Sequence, residues 1–510
     1  MRRRNFLKFS GLILLSGCFD KKNSGLSYSY PIHVHSDMAA GHHLMNSGEY
    51  PKIKMPPQKT FIVGGGIAGI TAAYQLRKED FVLCELSESL GGSSGGINYK
   101  GLKLCQGAHY DLNYPNYFGE EVIAFMEELG IVQFNKFSNY WDFKDKQFLI
   151  DQEREGQSLI SGVYQEDVLY GLQQAEDFLE IMQKYQSKLM LPTRLIHSDL
   201  YHLNALTLEQ FLRTHLKPSD SLIRAINYQM KDDFGGTYSQ VSALAGLYYY
   251  AARPYWDSDV HIFSPPQGNY YFIEKMLTQI PLAPILTGHL VKKIVKSGNL
   301  FKVEVIAIQE KKIKEFTVNR IIYAGQKHAL QYTYSDDYAL FSHTQYAPWV
   351  VINFILKEQM SEDVYWQNEF LRENTHFLGF VDSQAQFQNS TKKQVLTAYY
   401  CFEPKDRATL KILQNTPEKL VHEAVHLISE YFQKDQAWMN SLIERVFIKF
   451  MGHAMPVPGI NYLLNDKNKH RSVPHLVYAG VDNSRLPLFL EAVDSGLEAV
   501  RVLKQLDEKA

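Results

Sequence analysis

Cysteine is scarce: 510 residues hold only Cys18, Cys84, Cys105 and Cys401. Their spacing fits no zinc site and no disulfide framework, and nothing in the sequence pairs Cys105 with Cys401. Cys84 stands in the apolar run "FVLCEL", where a small buried hydrophobe is expected. Excess charge of either sign is also missing. The 53 Lys and Arg face 55 Asp and Glu, for a net charge of −2. That balance leaves no electrostatic footprint for nucleic acid. The chain shows no internal repeat and no low-complexity tract. Early histidines cluster (His33, His35, His42, His43), but without a helical i, i+4 pair or an adjoining Cys, Asp or Glu pattern, so no metal site is expected. Aromatics are plentiful, with 32 Tyr and 29 Phe. Most belong in a core, and a minority can line an apolar pocket with polar edges. The length allows two or more domains.

The chain opens "MRRRNFLKFSGLILLSGC". A basic start runs into a short apolar stretch and then small residues. That is the layout of a signal peptide, and the stretch is too short to span a bilayer. "RRNFLK" (Arg3–Lys8) resembles a twin-arginine export signal, and "LSGC" (Leu15–Cys18) resembles a lipobox. The resemblance to bacterial lipoproteins implies cleavage before Cys18 and membrane attachment through its lipidated thiol, in the periplasm or cell envelope. Phe19, not Asp, follows Cys18, which argues against retention at the inner membrane. Residues 19–55 are polar and read as an exported tether with some domain surface.

"TFIV" (Thr60–Val63) has the composition of a buried parallel strand. Gly64, Gly66 and Gly69 then fit G-x-G-x-x-G, with Ala68 inside the turn. Ile70, Ala73 and Leu76 continue at helical spacing, and "FVLCEL" supplies a second strand ending at Glu85. An acid about twenty residues past the turn is placed to hold a ribose hydroxyl. Gly64 permits the tight turn, Gly66 lets the backbone approach a pyrophosphate, and Gly69 lets helix and strand pack closely. Phosphates would meet free N–H groups at the helix start.

Further motifs sharpen the reading. The doublet Gly91–Gly92 follows the acid, "QGAHYDLNYP" spans Gln106–Pro115, and "HLVYAGVDNSRLPLFLEAVDSGLEAVRVLKQL" closes the chain from His475. Together with the first turn these resemble the flavin amine oxidase superfamily, which includes monoamine and polyamine oxidases, protoporphyrinogen oxidase and carotenoid desaturases. The resemblance runs from about Lys59 to Leu506, sharp at both ends and only pattern-level between them. It implies an α/β fold: an FAD-binding Rossmann-like domain (56–150, 256–335 and 466–510) interleaved with an α+β substrate domain. The latter comprises a helical insertion over 151–255 and a second part over 336–465.

The resemblance also implies cofactor contacts at Gly91, Gly92, Gly107, Ala108, Val291, Gly480, Asp482, Ala492 and Val493. The family often has Gly where Glu491 stands. Many of its amine oxidases carry a Lys near flavin N5, but the matching stretch Val350–Phe354 has none, and Lys357 lies too far along. No Cys stands near "FMGHAMPVPG", so non-covalent FAD is implied. His109 and His453 are candidates to accept or relay a proton. Tyr399, Tyr400 and Tyr462 are candidate pocket walls. The expected activity is an exported FAD-dependent oxidoreductase taking a hydride from a small substrate, amine oxidase-like. The electron acceptor can be oxygen, a quinone or a protein. Dehydrogenation or desaturation of a lipid or isoprenoid, and a non-catalytic electron-transfer role, stay open beside it.

Overall fold

The computed structural model describes residues 28–46, 48–109, 118–151, 153, 155–252, 262–281, 285–373, 375–386 and 393–508. The signal segment with Cys18, and Tyr110–Pro115 of the "QGAHYDLNYP" stretch, lie outside them.

Two large sheets organise the chain. In the first, five strands run parallel in the order Ile285–Leu286, Phe81–Cys84, Gln58–Val63, Lys312–Tyr323 and Leu476–Tyr478. Lys312–Tyr323 is long enough to serve twice. Its C-terminal part lies between Gln58–Val63 and Leu476–Tyr478, and its N-terminal part pairs antiparallel with Leu300–Ala307. Leu300–Ala307 continues to His289–Ser297 through a hairpin at Ser297 and Leu300, as the sequence reads. The helix Ile67–Gln75 is buried from Ile67 to Tyr74 because it is covered by the closing helix Phe489–Glu508 and by Tyr270–Leu277. This explains its all-round apolar sequence, "IAGITAAYQ".

The second sheet has eight strands, ordered Ile32–Ser36, Ile443–Pro456, Tyr346–Leu356, Val395–Cys401, Phe377–Asp382, Gln367–Leu371, Gly156–Ile160 and Val163–Gln165. Its central strand Tyr346–Leu356 is buried along its whole length. Alternate side chains serve opposite faces. Val350, Ile352 and Phe354 join one core, against the helices Arg407–Asn415, Pro417–Tyr431 and Gln436–Leu442. Trp349 and Val351 face the other, toward the first sheet.

Two segments carry strands that the sequence does not announce. Within 19–55, Ile32–Ser36 forms an edge strand parallel to Val446–Phe450, and Lys52–Lys54 pairs with Ile313–Glu315. The segment is polar because both strands lie at sheet edges, where one side meets water. The insertion 151–255 is not wholly helical, since Gly156–Ile160 and Val163–Gln165 extend the second sheet. Cys84, Cys105 and Cys401 are buried free thiols. Among the described residues no helix is long and apolar enough to cross a membrane, and no group of His, Cys, Asp and Glu can hold a metal.

Candidate active site

The strand Gln58–Val63 runs into Gly64, where φ is +93° and a Cβ would lie 2.7 Å from the Gly325 amide nitrogen. A Cβ on Gly69 would fall 1.9 Å from Gly64 O, so the helix rests against the turn too closely for any side chain. At Gly66 a Cβ would meet nothing within 4 Å. That open position sits at the N-cap of the helix, beside its free N–H groups. The second glycine turn closes over the first. Gly91 donates to Gly65 O at 2.8 Å, and a Cβ on Gly92 would lie 3.5 Å from Gly66 Cα. Glu85 clamps them: Oε2 accepts the Gly65 N–H at 2.5 Å and Oε1 the Ser87 N–H at 2.9 Å. Burial pushes its carboxyl above the usual range. A carboxylate accepts about four hydrogen bonds, so two remain for a ribose hydroxyl.

These turns form one end of a cavity of about 1880 Å³, larger than the ~300–1,000 Å³ of ordinary small-ligand pockets. Of the residues singled out from sequence, Gly64, Gly66, Ala68, Glu85, Gly91, Gly92, Gly107, Ala108, His109, Val291, His453, Gly480, Asp482 and Ala492 all line it. Gly69 acts through packing alone. Val493 does not line it, and its side chain is fully buried in the core. Neighbouring helix residues point about 100° apart, so Ala492 can line the cavity while the Val493 side chain turns into the core. Asp482 accepts the Lys327 N–H (2.9 Å), Lys327 Nζ (2.7 Å) and the Tyr346 hydroxyl (3.0 Å).

Glu491, standing where Gly is expected, turns away from the cavity. It is fully buried, accepts the Thr193 N–H at 2.6 Å and the Thr193 hydroxyl, and faces Arg485 Nη1 at 3.2 Å. Arg485 also binds Asp494 at 2.6 Å, and Arg194 grips Asp494 through Nε and Nη2. The closing helix therefore presents Leu490 and Ala492 to the cavity with the acid behind them.

Both candidate histidines lie in the cavity wall and are held neutral. His109 sits between Ser264 Oγ (3.3 Å from Nδ1) and Ser383 Oγ (3.0 Å from Nε2), and burial lowers it to about 3. His453 stacks on His328 with centroids 3.6 Å apart. Burial, then the neighbouring His328 and Arg407, bring it to about 3, and burial brings His328 to about 4. Such rings orient and donate; they do not store a proton near neutral pH. Tyr399 reaches the cavity and lies edge-on to Trp349 at 6.1 Å. Tyr400 is on the opposite strand face, packed on Phe377, and Tyr462 bonds Val481 O, so neither lines it.

Several lining residues went unread in the sequence. The strand Val350–Phe354 has no lysine, and Lys357 bonds Ser441 O away from the cavity. A buried lysine, Lys449, stands directly across from Val351 on the neighbouring strand and lines the cavity. Its one signal was a cation inside the apolar run "VFIKFM". From the far end the cavity is lined by Glu153, Glu155, Glu166, Asp167, Asp232, Asp233 and Glu369. Glu369 is pushed by burial to about 7, while the Ser158 hydroxyl donates to it. These acids come from four separate segments, so no local motif announces them.

Residues 62–129 match the NAD(P)-binding Rossmann-like domain family. No curated protein matches the sequence. Among solved structures, putrescine oxidase bound to putrescine is similar, with a TM-score of 0.63 at 12% identity, over 89% of this chain and 100% of that one. Cyclohexylamine oxidase from Brevibacterium oxydans gives 0.62 at 13%, with the same coverage. An oxidoreductase from Methanosarcina mazei gives 0.58 at 14%, over 87% of this chain and 100% of that one. At these identities the likeness is one of fold: this chain shares the amine oxidase architecture, with a Rossmann-like dinucleotide domain built into it.

Proposed function

We propose that this chain is an FAD-dependent oxidoreductase that takes a hydride from the amine-bearing carbon of a small cationic substrate. The cleft suits FAD on three grounds. Gly66 leaves open space at a helix N-cap, two glycine turns lie face to face, and the cavity continues past Gly107 and Ala108 to the start of a second helix at Ala492. That helix start favours negative charge. FAD, when bound, supplies the two-electron acceptor. The lining is consistent with non-covalent attachment: of the described cysteines only Cys84 reaches the cavity, and its thiol is engaged by His289 O.

The chain's own residues bind and orient. The observation that carries the amine reading is the acidic far end of the cavity, whose seven carboxylates would draw in a cation and disfavour an apolar lipid. Trp349 and Tyr399 then offer aromatic surface on which an amine-bearing chain can rest. Glu369, poised near neutrality, can hold a proton released by the incoming ammonium at a carboxyl oxygen. The N-terminal motifs support export in the folded state and anchoring through lipidated Cys18.

Anaerobic titration of the purified protein tests the reading. Amines are expected to bleach the flavin absorbance. Bleaching by apolar lipids alone would remove the amine assignment. Protein that is colourless and stays so when offered FAD would remove the flavoenzyme. Globomycin-sensitive processing at Cys18 in a bacterial host tests the anchor.

A further inference from the structure

Two lysines are deeply buried near the cleft, and they differ. Lys327 is fully buried and its ammonium is saturated: it donates to Asp482 at 2.7 Å, Gly325 O at 3.1 Å and Ala479 O. Lys449 is 7% exposed, and among the described residues its ammonium makes one hydrogen bond, to Gly92 O at 2.8 Å. An ammonium carries three donors, and leaving two unmet in a buried site is costly. The free donors lie where the glycine turns meet. Gly92 abuts Gly66, and a Cβ on Gly95 would come within 2.7 Å of Lys449 Nζ. Among the described residues only two other Lys or Arg side chains line the cavity, Arg407 and Lys411. Both stand on the helix Arg407–Asn415, and Arg407 reaches Gly452 O.

We propose that Lys449 is the fixed positive charge for the pyrophosphate of the bound dinucleotide, supplied by the substrate-domain sheet and not by the Rossmann domain. The inference rests on the dinucleotide reading above. Two carboxylates lie near enough to interact with the ammonium, Glu85 and Asp37. Glu85 is committed to two backbone N–H groups. Asp37 follows the edge strand in which His35 stands opposite Lys449, and it lines the cavity 3.7 Å from His35 Nε2. Asp37 thus shares Lys449 with the phosphates and competes with them. The cofactor would thereby join the two sheets across the cleft, since its phosphates sit on one domain and their counter-charge on the other.

The test compares binding of FAD, ADP and riboflavin to the full chain by fluorescence and calorimetry at several salt concentrations. Lys449→Met is expected to weaken FAD and ADP by about tenfold or more, flatten their salt dependence, and leave riboflavin unchanged. Lys449→Arg should retain both within a few-fold, and Asp37→Asn should tighten both. Unchanged FAD and ADP binding in Lys449→Met, or a loss that falls equally on riboflavin, overturns the proposal. If that variant fails to fold, Asp37→Asn decides, because an affinity no tighter than wild type overturns it. A wild-type chain that binds neither FAD nor ADP fails the dinucleotide reading itself, a result distinct from the others.

Discussion

Glu369 is a carboxyl whose environment sets its task. Burial outweighs the hydroxyl of Ser158, and the group titrates near 7 instead of near the carboxylate value. Above that pH it is an anion at the edge of the acidic end and, on the proposed function, would hold a cationic substrate. Below it, the charge is gone. The apparent affinity for an amine substrate is therefore expected to improve between pH 6 and pH 8. Glu369→Gln should abolish that improvement and raise KM at pH 8 by about tenfold, with a smaller change in kcat, in steady-state measurements across pH. Arg485 gives the matching case for stability. It is the shared partner of Glu491, Asp494 and Glu498. Arg485→Met leaves the fully buried Glu491 without a cation and Asp494 with Arg194 alone, and a loss of about 3–5 kcal/mol is expected in urea denaturation.

Among the elements, the closing helix and the fingerprint helix depend on one missing side chain. A Cβ on Gly496 would fall 2.5 Å from Ala68 O, so the two helices touch backbone to backbone there. Gly496→Val should lower stability by about 2–3 kcal/mol, seen as a lower urea midpoint at unchanged slope, and should weaken FAD retention by displacing Ala68 from the cleft. What could be read from sequence follows the same division between local and distant. The glycine turns, the acid of Glu85, the hairpin after His289 and the strand before Gly480 are local patterns, and each announces itself within a few residues. The edge strand Ile32–Ser36 could not be read, because its partner Val446–Phe450 is supplied from the other end of the chain. The direction of Glu491 depended on Thr193 and Arg485, one of them in a distant segment. Tyr399 and Tyr400 were equal in sequence until strand alternation gave one to the cavity and the other to the core.

For the whole molecule, acid is the condition that sets the two sheets against each other. His109 links the segment after the second glycine turn to Ser264 and to Ser383 beyond the second sheet's strand Phe377–Asp382. His328 follows a strand of the first sheet, and His453 belongs to a strand of the second. All three are neutral in the fold, at about 3, 4 and 3, against about 6.5 in an unfolded chain. As pH falls below 6.5 the unfolded chain takes up protons that the native state refuses, so each ring lowers stability by up to ~1.4 kcal/mol per pH unit until its folded value is reached. Glu369 opposes them: with its folded value near 7, the native state protonates first and gains stability as pH falls from 7 to about 4.5. Glu85, Glu423 and Glu491, whose carboxyls burial also raises, oppose the rings in the same sense. The rings' loss therefore steepens below pH 4.5, where the raised carboxyls no longer contribute, and eases below about pH 4, where His328 takes up its proton in the fold. Urea midpoints measured from pH 7 to pH 3.5 should trace that break. The double substitution His328→Gln and His453→Gln should flatten the descent, whereas Glu369→Gln should steepen it only between pH 7 and pH 4.5. A descent of the same slope in all three proteins would mean that the stacked imidazoles are not neutral in the fold.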